Sequence, residues 1–233
     1  MSIDTTALPP TEENLVANYE RMAHTFQRGT VDTALRILDV VLAGAALVVL
    51  SPVIALTALA VLVAGGSPVL YRGQRVGRAG RVFTMMKFRT LKRDAEQRLG
   101  PYLGPELTQL TAGEVSHLGR VLRATKLDEL PQLWNVLRGD MSMVGPRPIR
   151  PAFFAELCQE IPQYWQRLVV PPGLTGLAQL RLTREMTWAE KLAHDMEYIA
   201  DRSVGLYLRA ILATVVKVAS DALRTMARTL AGD

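Results

Sequence analysis

The sequence predicts a mostly α-helical protein with one short β-hairpin, divided between a broken membrane helix and a compact polar domain that ends in interfacial helices. Three observations predict it. Val40 to Ala64 runs for 25 residues without a charge, with Ser51 and Thr57 as its conventionally polar side chains, and a membrane helix needs about 20 such residues. Elsewhere, leucines and aromatics recur at intervals of three and four, the helical period. Two β-branched and aromatic runs flank Gly77-Arg78-Ala79-Gly80, a hairpin signature. The 233 residues are 49% hydrophobic and 21% charged, which excludes a disordered or collagen-like chain.

The mean hydropathy of +0.14 is high for a chain with 27 basic and 22 acidic side chains, so charge and apolar surface must be segregated along it. Of the basic residues, five are Lys and 22 are Arg, the better fork for phosphate oxygens. The single cysteine, Cys158, excludes an internal disulfide framework and a cysteine zinc cluster and fits a reducing compartment.

In chain order, residues 1–12 read as a polar tail. Leu15, Tyr19, Met22 and Phe26 recur at 4, 3 and 4, an amphipathic helix within an N-terminal section 1–35. The section 36–66 holds the apolar run, which begins too far along the chain and lacks the basic leader expected of a signal peptide. Pro52 must kink a helix there. Each half, Val40–Leu50 and Val53–Ala64, spans roughly 17 Å, about one leaflet. A kinked spanning helix and a re-entrant hairpin both fit, and Ser51 can satisfy a carbonyl freed by the kink. Arg72 to Arg93 contains eight basic residues and no acidic one, whereas residues 1–35 carry five acidic and two basic ones. That asymmetry places the C-terminal side in the cytoplasm.

Section 67–233 is the cytosolic domain. Gly65-Gly66-Ser67-Pro68 ends the apolar run. Val69-Leu70-Tyr71 and Val82 to Phe88 form the hairpin strands. Residues 100–115 read as a loop and Leu118 to Arg123 as a helix. Leu127, Leu130, Leu133/Trp134 and Leu137 predict a helix that begins near Asp128, since Pro131 is tolerated only in a first turn, and ends at Gly139. Pro146, Pro148 and Pro151 make an extended segment, followed by a helix from Ala152 to Glu160. Pro171-Pro172-Gly173 and Gly176 mark turns. Thr187 caps a helix to Ala200, with Glu190 as its capping-box partner. Ser203 to Leu230 is a long helix whose charges form one polar stripe. It fits the membrane interface as well as ordinary packing on the domain.

Asp128-Glu129 is the sharpest chemical constellation. A carboxylate can act as nucleophile towards phosphorus, and its neighbour can hold Mg²⁺. By itself such a pair is more often a helix cap. Arg123 and Lys126 precede it closely, Gly145-Pro146-Arg147-Pro148 presents one Arg on a stiff backbone, and Lys87-Phe88-Arg89 follows the second strand. Together these residues describe a phosphate-rich site beside a bilayer. There is no Walker A loop, no G-x-G-x-x-G, no H-E-x-x-H and no G-x-S-x-G. The basic stretch 72–93 abuts a membrane segment, so lipid or phosphate fits it better than nucleic acid.

These residues resemble the bacterial sugar transferases, or monotopic phosphoglycosyl transferases. The matching stretches are GSPVLYRGQRVGRAGRVFTMMKFRTL (66–91), LGRVLRATKLDELPQLWNVLRGDMSMVGPRP (118–148) and VVPPGLTGLAQL (169–180). The resemblance covers roughly residues 34–215. It implies transfer of a hexose-1-phosphate from a UDP-sugar to polyprenyl phosphate at the cytoplasmic face of the bacterial plasma membrane, with Mg²⁺ as cofactor. It implies Asp128 as nucleophile and Glu129 as partner carboxylate and metal ligand. Arg123 would grip substrate phosphate, Pro146-Arg147-Pro148 would lie near the nucleotide, and Lys87 and Arg89 would be the basic pair. Ser51-Pro52 would be the kink of a re-entrant helix-break-helix, with both ends cytoplasmic. The expected form is the small catalytic unit without an additional amino-terminal membrane bundle.

The chain departs from the family pattern at Lys126, at Leu180-Arg181-Leu182-Thr183 and at Tyr207, where an acidic residue is common. Two rivals are a non-catalytic relative that binds nucleotide or lipid, and a spanning anchor for a nucleic-acid-binding domain.

Overall fold

The computed structural model describes residues 29–93, 95, 111, 113–183 and 186–231, with side chains as far as residue 221. The expected amphipathic helix from Leu15 to Phe26 and most of the expected loop 100–115 lie outside the described residues.

Helix α1 (Gly29–Val49) starts well before the uncharged run. It carries Asp32, Arg36 and Asp39 at intervals of four and three, so all three share one face. That face meets the domain, and Asp39 and Ala43 are buried on it. Helix α2 (Ser51–Gly65) follows after Leu50, and the two axes are bent by 63°. Pro52 lies in the first turn of α2, where its missing N–H breaks no helical bond. Ser51 Oγ donates to the Val48 carbonyl at 2.8 Å, as the sequence predicts. The Leu50 N–H still reaches the Ala46 carbonyl at 2.8 Å, so the bend leaves few backbone groups unpaired. Among the described residues no single helix is long and apolar enough to cross a membrane, whereas the bent pair taken together is. Its outward face is apolar: Val48 is 75% exposed and Val63 79%.

The hairpin forms as the sequence predicts, except that its first strand runs on past Tyr71 to Val76. Strands β1 (Leu70–Val76) and β2 (Val82–Phe88) pair antiparallel, Leu70 opposite Phe88 and Val76 opposite Val82. A second pairing is not visible in the sequence: β3 (Ser142–Val144) lies parallel to β4 (Gly173–Thr175), where a turn was expected at Pro171-Pro172-Gly173. Three-residue strands show no period-two pattern. What allows this pairing is close backbone approach, since a Cβ on Gly145 would lie 2.5 Å from the Pro171 carbonyl oxygen.

Helix α3 (His117–Thr125) is capped by Ser116, whose Oγ accepts the Gly119 N–H at 2.9 Å. The next segment corrects the expectation of a helix starting near Asp128. Residues Leu127–Glu129 form a 3₁₀ turn, and helix α4 (Gln132–Arg138) starts only at Gln132. Lys126 ends α3 in the left-handed region, φ 59°, and Pro131 has no N–H to give. The chain therefore turns through short-range bonds, Glu129 N–H to the Lys126 carbonyl at 3.1 Å and Leu130 N–H to the Leu127 carbonyl at 3.3 Å. Gly139, φ 88°, ends α4 as expected.

Helices α5 (Pro151–Glu160), the short α6 (Leu177–Leu180), α7 (Trp188–Asp201) and α8 (Val204–Ala231) complete the domain. The capping box of Thr187 and Glu190 is present. Arg202, between α7 and α8, grips Asp32 of α1 at 2.7 and 3.0 Å. Buried Arg167 pairs with Asp195 of α7 at 2.7 Å and donates to the Arg147 carbonyl at 2.9 Å.

The core under the site is a three-layer contact among α1, the hairpin and α4, built on Ala43, Phe83, Met85, Leu133 and Val136. Two polar contacts fix its register. Asn135, 1% exposed, accepts the Met86 N–H at 3.0 Å and donates to the Thr84 carbonyl at 2.8 Å. Arg36 of α1 donates to the Val136 and Leu137 carbonyls at 2.6 and 2.7 Å, satisfying the open C-terminal end of α4.

Asn135→Ala leaves two backbone groups of β2 without their partner. The expected cost is roughly 3 kcal/mol, from two newly unsatisfied buried groups, equivalent to a Tm lower by about 6–12 °C in thermal unfolding. A Tm unchanged within a degree contradicts this role for Asn135.

Candidate functional site

The site is assembled where β2, the 3₁₀ turn before α4, and the segment after β3 converge. Lys87 lies one residue beyond Met86, which Asn135 holds. Its ammonium donates to Glu129 Oε1 at 2.7 Å, and both side chains are largely buried. Arg147, on the Pro146-Arg147-Pro148 element, approaches the same oxygen at 3.6 Å with its own side chain half-exposed. The Arg147 backbone is fixed by Arg167, as described. Pro146 is buried, and its carbonyl accepts the Gly173 N–H at 2.9 Å.

The neighbouring carboxylates differ sharply. Burial pushes Glu129 up, but Lys87, Arg147 and Lys126 outweigh it and hold the group at about 2. Glu129 is therefore a fixed charge with two cationic partners. Asp128 is 6% exposed, and its Oδ1 is buried without a hydrogen-bond partner. Burial raises its pKa, and Glu129 raises it further, against Lys87, Lys126 and Arg123. Burial lowers Lys87, with Glu129 opposing. Adjacent groups whose environments drive their pKa values apart are how one site separates two roles for one functional group. The pair caps no helix N-terminus: it lies in the 3₁₀ turn ahead of α4, where the Glu129 and Leu130 N–H groups are already bonded.

The remaining expected residues fall in two places. Exposed Arg123 donates to Thr90 Oγ1 at 2.9 Å and acts on Asp128 through its charge. Arg89 points the other way. Its Nη2 donates to the Gly65 and Gly66 carbonyls at 2.6 and 2.7 Å, so it closes the C-terminal end of α2. Ser51 and Pro52 sit at the distant bend. Of the departures, Lys126 adds charge beside both carboxylates, and Arg181 pairs with Glu197 on the surface. Tyr207 is fully buried and donates to Asp39 Oδ1 at 2.8 Å.

Asp39 is a junction that sequence reasoning missed. Besides Tyr207, it accepts the Ser142 hydroxyl at 2.9 Å and the Met143 N–H at 2.7 Å. With Arg36 it holds both ends of the α4–β3 connection to α1. The readable signal was the spacing of Asp32, Arg36 and Asp39 ahead of an uncharged run.

Among the described residues no three of His, Cys, Asp and Glu are placed to hold a metal ion together. Mg²⁺ is often held by one or two carboxylates, with water and substrate phosphates completing its shell. The unpartnered Asp128 oxygen and the adjacent Glu129 fit that smaller donor set. Beside the pair lies a cavity of about 80 Å³ lined by Arg75, Lys87, Gln132, Arg147 and Pro148, among others. A buried carboxylate with an open oxygen, ringed by cations and next to a small cationic cavity, suits nucleophilic attack on a phosphoryl group.

The sequence profile of the bacterial sugar transferase family matches residues 31–221. Over 195 residues the chain is 40% identical to a UDP-glucose:undecaprenyl-phosphate glucose-1-phosphate transferase of Caulobacter vibrioides, covering 81% of this chain and 70% of that protein. A UDP-N-acetylgalactosamine-undecaprenyl-phosphate N-acetylgalactosaminephosphotransferase of Aeromonas hydrophila is 34% identical over 181 residues, 76% of this chain, which span 42% of that protein's length. An exopolysaccharide production protein of Rhizobium leguminosarum is 35% identical over 189 residues, 78% of this chain and 92% of that one. The motifs that build the site fall within the matched residues, and the chain belongs to the bacterial sugar transferase family.

Proposed function

We propose that this protein transfers a hexose-1-phosphate from a UDP-sugar to undecaprenyl phosphate, releasing UMP, as a membrane step of exopolysaccharide or related glycan synthesis. The names of its relatives support the reaction class. The observation that carries it is the contrast within the acid pair: Glu129 is held by Lys87 and Arg147, while Asp128 keeps a buried, unpartnered oxygen.

In the first half-reaction an Asp128 oxygen attacks the β-phosphorus of the UDP-sugar. The bond to the bridging oxygen breaks, and UMP leaves with that oxygen. Lys87 and Arg147 offset charge on the diphosphate oxygens as UMP leaves, and Arg123 adds a longer-range cation. In the second, an oxygen of undecaprenyl phosphate attacks the same phosphorus and the Asp128 carboxylate is released. One site thus serves a water-soluble and a lipid substrate in turn. Glu129 and the diphosphate oxygens would hold Mg²⁺, which supplies Lewis-acid charge neutralisation at the phosphates. The poor solvation of Asp128 favours it as a nucleophile once ionised.

The same reading seats α1 and α2 in the cytoplasmic leaflet of the bacterial plasma membrane as a re-entrant helix-break-helix. The 63° bend and the exposed apolar face support this. On α8, Leu208, Leu212, Val215 and Val216 form an exposed apolar stripe, Leu212 at 65%, opposite buried Tyr207 and Ala210. That stripe suits a helix lying at the membrane interface.

Purified protein with UDP-sugar and undecaprenyl phosphate is expected to release UMP in Mg²⁺, to stop in EDTA and to recover on adding Mg²⁺. Asp128→Asn is expected to lower the rate by about 10³-fold or more, and wild-type turnover by that variant contradicts the nucleophile. Because the attacking form is ionised, the rate falls as pH falls through the Asp128 pKa. In the metal-free protein without substrate, the Asp128 midpoint is expected above the ordinary value of 3.8, while Glu129, held at about 2, keeps its charge throughout. An Asp128 midpoint at or below 3.8 there, read as the difference in carboxyl titration between wild type and Asp128→Asn, contradicts the effect assigned to its burial.

A further inference from the structure

The cavity beside the acid pair holds two polar side chains that the family resemblance leaves without a role. Arg75, on β1, and Gln132, at the start of α4, line it together with Lys87 and Arg147. At roughly 10–15 Å³ per water-sized position, its volume of about 80 Å³ suits a group the size of phosphate and is too small for a nucleoside.

The polar groups around it are dominated by donors. Gln132 is 3% exposed, and its Nε2 has no hydrogen-bond partner. A buried amide N–H left unpaired is unfavourable, and native proteins seldom keep one without a ligand or water to meet it. The cations around the cavity also crowd one another. Burial lowers the Arg75 pKa, Tyr71 opposes, and Arg150 and Arg147 lower it further. Lys87 is lowered by burial first and by Arg147 as well. Glu129 is the carboxylate within reach of Lys87 and Arg147, and it already serves both. Tyr71 steadies Arg75 across Gly73, where any Cβ would collide with the Tyr71 hydroxyl.

We infer that Arg75 and Gln132 complete, with Lys87 and Arg147, a pocket for one phosphate group other than the phosphoryl group that Asp128 attacks, and that it takes the nucleotide-side phosphate departing in UMP. The assignment rests on the proposed transferase reaction and adds two binding residues to it. The two phosphates of a sugar nucleotide share one bridging oxygen, so the second must lie close to the nucleophile. Gln132 stands four residues beyond Asp128 and three beyond Glu129, about one turn away. The phosphate of the lipid acceptor attacks in line opposite Asp128, where UMP left, so it uses the same pocket in turn, and the test reads each ligand separately.

Full-length wild type and the variants Gln132→Met, Gln132→Glu and Arg75→Gln are purified in detergent. UMP affinity is measured by calorimetry, and KM for undecaprenyl phosphate by turnover. The expected result is a UMP Kd about tenfold or more weaker in each variant, the scale of a lost hydrogen bond to a charged group. The largest loss is expected for Gln132→Glu, which adds a negative charge, and acceptor KM should rise as well, because the acceptor phosphate enters where UMP left. A raised acceptor KM with unchanged UMP affinity overturns the nucleotide assignment. Unchanged values for both ligands in variants that melt like wild type overturn the pocket altogether. Should a Gln132 variant fail to fold, Arg75→Gln decides by the same two readings. Failure of wild type to bind UMP or to turn over UDP-sugar is a separate outcome that overturns the transferase reading as well.

Discussion

The grip of Asn135 on the edge of β2 is the contact on which the rest of the site depends. One buried amide satisfies a donor and an acceptor of the strand, which fixes the register of α4 against β2. Lys87, one residue further along, is thereby set over Glu129 rather than over Asp128. The cation then neutralises one carboxylate and leaves its neighbour with an open oxygen. Buried polar contacts of this kind are specific because the alternative registers leave unpaired groups.

The same short helix connects the chemistry to the bent helix pair α1–α2. Arg36 of α1 closes the C-terminal end of α4, Asp39 holds the strand that follows, and Arg89, two residues beyond Lys87, closes the end of α2. Both arms of the bent pair are thus tied to elements that carry site residues. In the proposed membrane seat, these ties hold the acid pair at a set height relative to the bilayer. A lipid acceptor's phosphate and a soluble sugar nucleotide can then meet one nucleophile.

Much of the local structure was legible in the sequence because its determinants are local. The Thr187–Glu190 capping box, the glycine that ends α4 and the hairpin around Gly77 to Gly80 are set by neighbouring residues, and Ser51-Pro52 marked the bend. The acid pair and Arg147 stood out as motifs. The start of α4 was misplaced because Lys126 adopts a left-handed conformation, for which lysine carries no signal. β3 and β4 were invisible because three-residue strands held by glycine contacts have no periodicity. The roles of Asn135, Arg167 and Arg89 come from partners distant in sequence or across a break, as with Arg202 and Asp32, 170 residues apart. The stripe of Asp32, Arg36 and Asp39 was readable, but the uncharged run beside it drew the boundary of the membrane section at residue 36.

In the proposed reaction Asp128 becomes covalently attached to the sugar phosphate. The most direct measurement is the mass of the purified protein after incubation with a UDP-sugar and Mg²⁺ but no lipid acceptor, followed by peptide mapping. The proposed reaction gives a mass increase equal to one sugar phosphate, located on the peptide that contains Asp128 and lost on adding undecaprenyl phosphate. UMP formation that requires the acceptor, with no adduct at any time, would contradict it.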